Sequence, residues 1–175
     1  ESVSAVAVDA SGNSYITGSY TSSYINFGTF SLLNSFSGTS DIFLVKIDPT
    51  GTVVWAKTFG GADGDQGNGL AVDASGNVIL TGWFASASIT FSATVLNNVG
   101  TASSDLFIVK YDTDGNLIWV KSTGGSGNDR GYAVSCDANS NVFVTGWYTS
   151  ATINFGTGNL TNAGSSTNDI FIVKY

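Results

Sequence analysis

Apolar residues along this chain come in short runs broken by small polar turns, and the runs recur. Leu70-Ala71-Val72 and Val78-Ile79-Leu80 flank Ser75-Gly76-Asn77, a pattern that predicts a hairpin. Asp105 to Tyr111 and Leu117 to Lys121 flank Asp112-Thr113-Asp114-Gly115 and predict a second hairpin. In the first unit this second turn reads Asp48-Pro49-Thr50-Gly51, with Pro early and Gly late, as a type I turn closed by a left-handed Gly requires. No segment sustains an apolar period of 3.6, so no helix is expected.

The pattern repeats without gaps at an interval of 64 residues. Asp9, Asp73 and Asp137 keep that interval, as do Gly18, Gly82 and Gly146, then Phe27, Phe91 and Phe155, then Lys46, Lys110 and Lys174. The chain therefore divides into units 1–64, 65–128 and a shorter third, 129–175. Ile42 to Val45 and Leu106 to Val109 are apolar without alternation, and strands of that kind are buried on both faces. Sheets stacked face to face around an axis satisfy this; a two-layer sandwich would expose one face of each sheet. The expected fold is all-β: four-stranded antiparallel β-propeller blades, with the small-residue strand Ala5-Val6-Ala7-Val8 innermost and the Trp55 strand outermost. Two units and part of a third make a partial propeller. Further blades, from a longer polypeptide or from other copies of the chain, are expected as partners. The unit is longer than the roughly 40–50 residues of common propeller repeats. The excess lies between the hairpins, from Ser19 to Ser40 and its equivalents, and predicts a short extra strand or a packed loop.

Composition narrows the chemistry. Only 11% of residues are charged, the net charge is −7, and there is no His. An acidic chain with scattered cations does not suit nucleic acid. Without His, triads of the Ser-His-Asp kind and His-ligated metals are excluded. Cys136 has no partner for an intrachain disulfide and aligns with Val8 and Val72, so it reads as a small buried hydrophobe. No apolar run is long enough to span a bilayer as a helix, and no membrane insertion is expected.

The motif A-V-D-A-S-G-N-x-x-x-T-G, the D-x-F-x-V-K strand, the G-x-x-x-W strand and the Gly-Gly crossover with its Asp resemble the bacterial β-propeller repeat family called SBBP. The resemblance covers the whole chain. It implies a secreted or cell-surface repeat protein with adhesive or scaffolding roles, and it carries no catalytic residues.

Candidate sites follow the repeat. Asp9, Asp73 and Asp137 close the inner strand; in a full ring they would gather carboxylates near the axis for a cation such as calcium, or each would bond its own turn. Asp112 and Asp114 open like a calcium loop but lack the downstream Glu, which favours a hairpin turn. Asp41, Asp105, Asp65 and Asp129 recur at fixed places, as capping or pairing residues do. Glycosidase chemistry instead needs two specialised acids in one cleft. Tyr20, Trp83, Phe84, Trp147 and Tyr148 are aromatics at the end of the first hairpin, available either to stack on a surface glycan or protein ligand or to pack between blades. The reading is a non-catalytic structural or binding module, adhesive or scaffolding. Its alternatives are a segment of a carbohydrate-active propeller enzyme and an open filament subunit. No cofactor beyond a possible calcium ion is implied.

Overall fold

A computed structural model describes residues 1–156, 158–164 and 167–175. Unit one contributes β1 (Ser2–Val8), β2 (Ser14–Tyr20), β5 (Asp41–Ile47) and β6 (Val53–Phe59), hydrogen-bonded in the order β1-β2-β5-β6. Unit two repeats this with β7 (Asp65–Val72), β8 (Val78–Phe84), β11 (Asp105–Tyr111) and β12 (Leu117–Thr123). Unit three has β13 (Asp129–Cys136), β14 (Val142–Tyr148) and β17 (Asp169–Lys174), a three-stranded sheet in the order β13-β14-β17. All pairings are antiparallel. The small-residue strand is at the inner edge and the Trp strand at the outer edge, as its sequence predicts. β1 lies beside β7, and β7 beside β13. These are β-propeller blades, and the described residues contain no helix.

The motif residues are explained by local physics. Gly18, Gly82 and Gly146 face a bulge in the inner strand, between Val3 and Ala5, Gly67 and Gly69, and Gly131 and Ala133. The bulge presses the carbonyls of Ser2, Gln66 and Arg130 against those glycines, leaving no room for a Cβ. The Thr before each Gly donates its hydroxyl to the third strand: Thr17 to Phe43 O at 2.7 Å, Thr81 to Phe107 O at 2.8 Å and Thr145 to Phe171 O at 2.7 Å. The first turn needs a left-handed residue. Gly12 and Gly76 supply it at φ 83° and 82°, while Ser140 takes it at 62° in unit three.

The segment between the hairpins forms a separate two-stranded ribbon in each unit. These are β3 (Tyr24–Phe27) with β4 (Phe30–Leu33), β9 (Ser88–Phe91) with β10 (Thr94–Asn97), and β15 (Thr152–Asn154) with β16 (Asn159–Thr161). None joins its blade sheet. Each ribbon folds its Phe onto the third strand of its own unit: Phe27 on Phe43 at 5.1 Å, Phe91 on Phe107 at 5.0 Å and Phe155 on Phe171 at 4.9 Å. The ribbon covers the face turned toward the preceding unit, here called the trailing face. In unit one it buries Tyr20, Phe43 and Val45 even though no described blade lies beyond.

The opposite, leading face is covered by the next unit. Ile42, Leu44 and Trp55 of unit one pack with Val78, Leu80, Phe107 and the Phe91 ribbon of unit two. Leu106 and Ile108 of unit two pack with Val142, Val144 and Phe171 of unit three. Two cores are thus shared between neighbouring blades, while the third lies within unit one beneath its ribbon.

Candidate functional site

The inner-strand aspartates bond their own turns. Asp9 Oδ1 accepts from the backbone N–H groups of Ser11 and Asn13, and Oδ2 from Asn13 Nδ2 at 2.7 Å. Asp73 and Asp137 repeat this with Ser75 and Asn77 and with Asn139 and Asn141. Asp112 does the same with Asp114 N, Asn116 N and Asn116 Nδ2, so Asp112 and Asp114 belong to a hairpin turn. Burial pushes the Asp9 and Asp73 carboxyls up, but the hydrogen bonds outweigh it and hold both below the usual range. Lys110 also lies 2.6 Å from Asp73. Asp9, Asp73 and Lys46 line a recess of about 440 Å³ between the turns of units one and two. Among the described residues no three His, Cys, Asp or Glu converge as a metal set.

A second class of Asp is buried at the blade junctions. Asp65 accepts from Gly61 N, Ala85 N, Ser86 N and Ser86 Oγ. Asp129 mirrors it with Gly125 N, Thr149 N, Ser150 N and Ser150 Oγ. Glu1, in the same register, accepts from Ser22 Oγ at 2.6 Å. Asp41 and Asp105 each cap the ribbon's exit through one oxygen, on Ser35 N and Val99 N. Their Oδ1 atoms are buried without a partner. Burial pushes the carboxyls of Asp65 and Asp105 up to about 6, and it raises Asp129 as well. These acids tie crossover to hairpin and repeat from unit to unit.

The aromatic candidates separate into two groups. Tyr20, Phe84 and Tyr148 are at most 3% exposed and pack on trailing faces, Tyr20 also bonding Thr58 Oγ1 at 2.7 Å. They are packing residues rather than surface contacts; the preceding residues Ser19, Trp83 and Trp147 alternate to the opposite face. Trp83 and Trp147 do reach a surface. Between them sits Arg130, which composition alone passed over as a scattered cation. Its guanidinium carbon lies 4.1 Å from the Trp83 ring centroid and 5.4 Å from that of Trp147. Trp147 in turn meets Tyr132 at 6.2 Å. Arg130 Nε bonds Ser104 Oγ at 3.2 Å. The register pairs Arg130 with Trp147, whereas the equivalent pairs are Gln66 with Trp83 and Ser2 with Ser19. That departure from the repeat is the sequence signal that marks the cluster.

The leading face of unit three is an exposed apolar surface. Ile170 is 86% and Ile172 75% exposed, and beside them an apolar hollow of about 210 Å³ lies against Ala133, Phe143 and Thr145. At the other end Val6 and Val8 of β1 are 64% and 60% exposed.

No family model matches the chain. It is similar to an uncharacterized WD repeat-containing protein of Acanthamoeba polyphaga mimivirus, 29% identical over 187 residues that cover 97% of this chain and 13% of that protein. It is also similar to the regulatory protein FlaEY of Caulobacter vibrioides, 29% identical over 110 residues covering 62% of this chain and 12% of the relative. The chain thus spans 13% and 12% of the lengths of these two relatives. WD repeats are four-stranded propeller blades, so the first likeness agrees with the architecture. The 64-residue unit exceeds the ~40–45 residues of a WD repeat chiefly through its ribbon.

Proposed function

We propose that the chain is a non-catalytic interaction and scaffold module: consecutive blades of a larger β-propeller repeat protein, of the bacterial SBBP kind, secreted or displayed at the cell surface and serving adhesion or protein docking. The single observation that carries the docking role is the leading face of unit three. Its Ile170 and Ile172 occupy the positions of Ile42 and Leu44, and of Leu106 and Ile108, all at most 1% exposed beneath the next blade. Burying such a side chain contributes about 1.5–3 kcal/mol, so an apolar face of this shape supports docking of a further blade. The partner that fits it is another blade of the same build, offering a trailing face and ribbon. The non-catalytic reading rests on the acids, which recur as turn-forming and capping residues in successive units instead of converging as unlike groups.

Sedimentation equilibrium of the chain and of an Ile170→Asp/Ile172→Asp variant tests the reading. Isolated chains are expected to use one another as the next blade and to associate with rising concentration, while the variant stays monomeric and folded. Equal monomeric behaviour of both would contradict it.

A further inference from the structure

We propose that Arg130, held between Trp83 and Trp147, is a binding site for the carboxylate of an acidic sugar, a uronic-acid unit. The site is separate from the leading face of unit three and goes beyond the scaffold role.

The first ground is where the repeat breaks. Structural residues of this chain recur: the turn aspartates, the Thr-Gly pair and the ribbon Phe hold their places in all three units. Arg130 does not. Gln66 and Ser2 occupy its position, Asn68 and Ser4 that of Tyr132, and Ser19 that of Trp83 and Trp147. A packing role at this position is met by Gln or Ser in the other units, so the guanidinium is not needed to build a blade.

The second ground is the state of its charge. Arg130 is the sole Arg of a chain with 13 acidic residues, yet the described residues place no carboxylate within 4.0 Å of it. Trp83 covers one face of the guanidinium, and Ser104 Oγ takes the Nε edge. No hydrogen bond leaves either Nη among the described residues. A planar guanidinium fixed by stacking, with its Nη edge unused, is pre-oriented for a carboxylate through two parallel N–H bonds.

The surroundings select the rest of the ligand. Tyr132, 45% exposed at the position where its equivalent Asn68 bonds Gly131 O of the following unit, lies beside Trp147 and offers a flat ring at that junction for the C–H face of a sugar. Asn128 Oδ1 already accepts from Ser104 Oγ, so the hydroxyl beneath Arg130 is held in place. Among the described residues the only cation over Trp83 and Trp147 is Arg130, and the net charge of −7 repels ligands carrying many negative charges. One carboxylate on a stacking, hydroxylated ring fits these terms better than an acidic peptide.

The test is titration of the chain, followed by tryptophan fluorescence and calorimetry, with methyl glucuronide, methyl glucoside and an acetylated, amidated glutamate. The glucuronide is expected to bind and to perturb tryptophan emission, with the glucoside weaker by about tenfold or more, the loss expected for a charge-assisted bond. Arg130→Gln, which installs the residue of the preceding unit, should keep the melting temperature and lose binding by a similar factor. Arg130→Lys, which keeps the charge and removes the fork, should also weaken it. Absence of glucuronide binding, equal binding of the glucoside, undiminished binding by both variants, or binding of the glutamate derivative alone would each overturn the proposal.

Discussion

Units two and three present the same leading face in different surroundings. Leu106 and Ile108 are 0% and 1% exposed, while Ile170 and Ile172, in the same register, are 86% and 75% exposed. The strands are nearly identical in sequence, and both pair with the second strand of their blade. Two neighbours differ: β11 is flanked by β12 and faced by unit three, whereas β17 is the edge of its sheet and no described unit faces it. A propeller residue becomes core through the next blade, because a single sheet has no second layer to bury it. The trailing face behaves otherwise: the ribbon of unit one already covers Tyr20, Phe43 and Val45. Each blade therefore carries its own cover on one side and borrows one on the other.

Removing the cover should have the largest effect. Phe91 is fully buried between Phe107 of its own blade and Phe59 of unit one, the latter at 4.7 Å. Phe91→Ala is expected to cost about 3–5 kcal/mol in chemical denaturation. Phe155→Ala should cost less, since Thr123 stands where Phe59 does and meets the ribbon through a hydrogen bond to Asn154 O at 2.8 Å.

A matched pair addresses the two leading faces directly. Ile108→Ala should cost about 2–5 kcal/mol, and Ile172→Ala less than about 0.5 kcal/mol. Equal costs would mean that exposure does not separate the faces.

The junctions also respond to pH. The carboxyls of Asp65 and Asp105 are raised to about 6 and that of Asp129 is raised too, all chiefly by burial. A folded value above the unfolded one favours folding of the protonated form. That contribution is complete below the unfolded value and is lost as pH rises through about 6. The turn residues Asp9, Asp73 and Asp137 are lowered, so their contribution holds above the unfolded value and fades as pH falls through it. Melting temperature is expected to rise as pH falls from 7.5 to 5, then to drop below about 4. A flat profile between pH 7.5 and 5 would show that the buried acids do not govern the junctions.

The smallest effect concerns the turn of unit three. Ser140→Gly restores the residue of the other two units at a φ of 62° and should stabilise by about 0.5–1 kcal/mol. No gain in the denaturation midpoint would remove strain at this turn as an explanation.

Much of this was legible in the sequence. The fixed interval and the turn signals gave the hairpins, and unbroken apolar strands implied faces buried on both sides. The ribbons were visible only as an excess of length. Their strands are three or four residues long, too short for periodicity to identify, and the contact of Phe27 with Phe43 is a tertiary fact. The fates of the aromatics were also hidden: Trp83 and Phe84 are neighbours in sequence, but strand alternation sends them to opposite faces. Arg130 belongs to no basic patch; its signal in the sequence is a single residue that breaks the repeat.

The central claim is that an apolar leading face is completed by a following blade. The most direct test extends the chain beyond Tyr175 with a copy of residues 112–128 and then of 65–128, which supplies the outer strand of unit three and a complete further unit. The cost of Ile172→Ala is then measured in both proteins. The account predicts that it rises from less than about 0.5 kcal/mol to about 2–5 kcal/mol, the cost expected for Ile108→Ala. A cost that stays small in the extended, folded protein would contradict it.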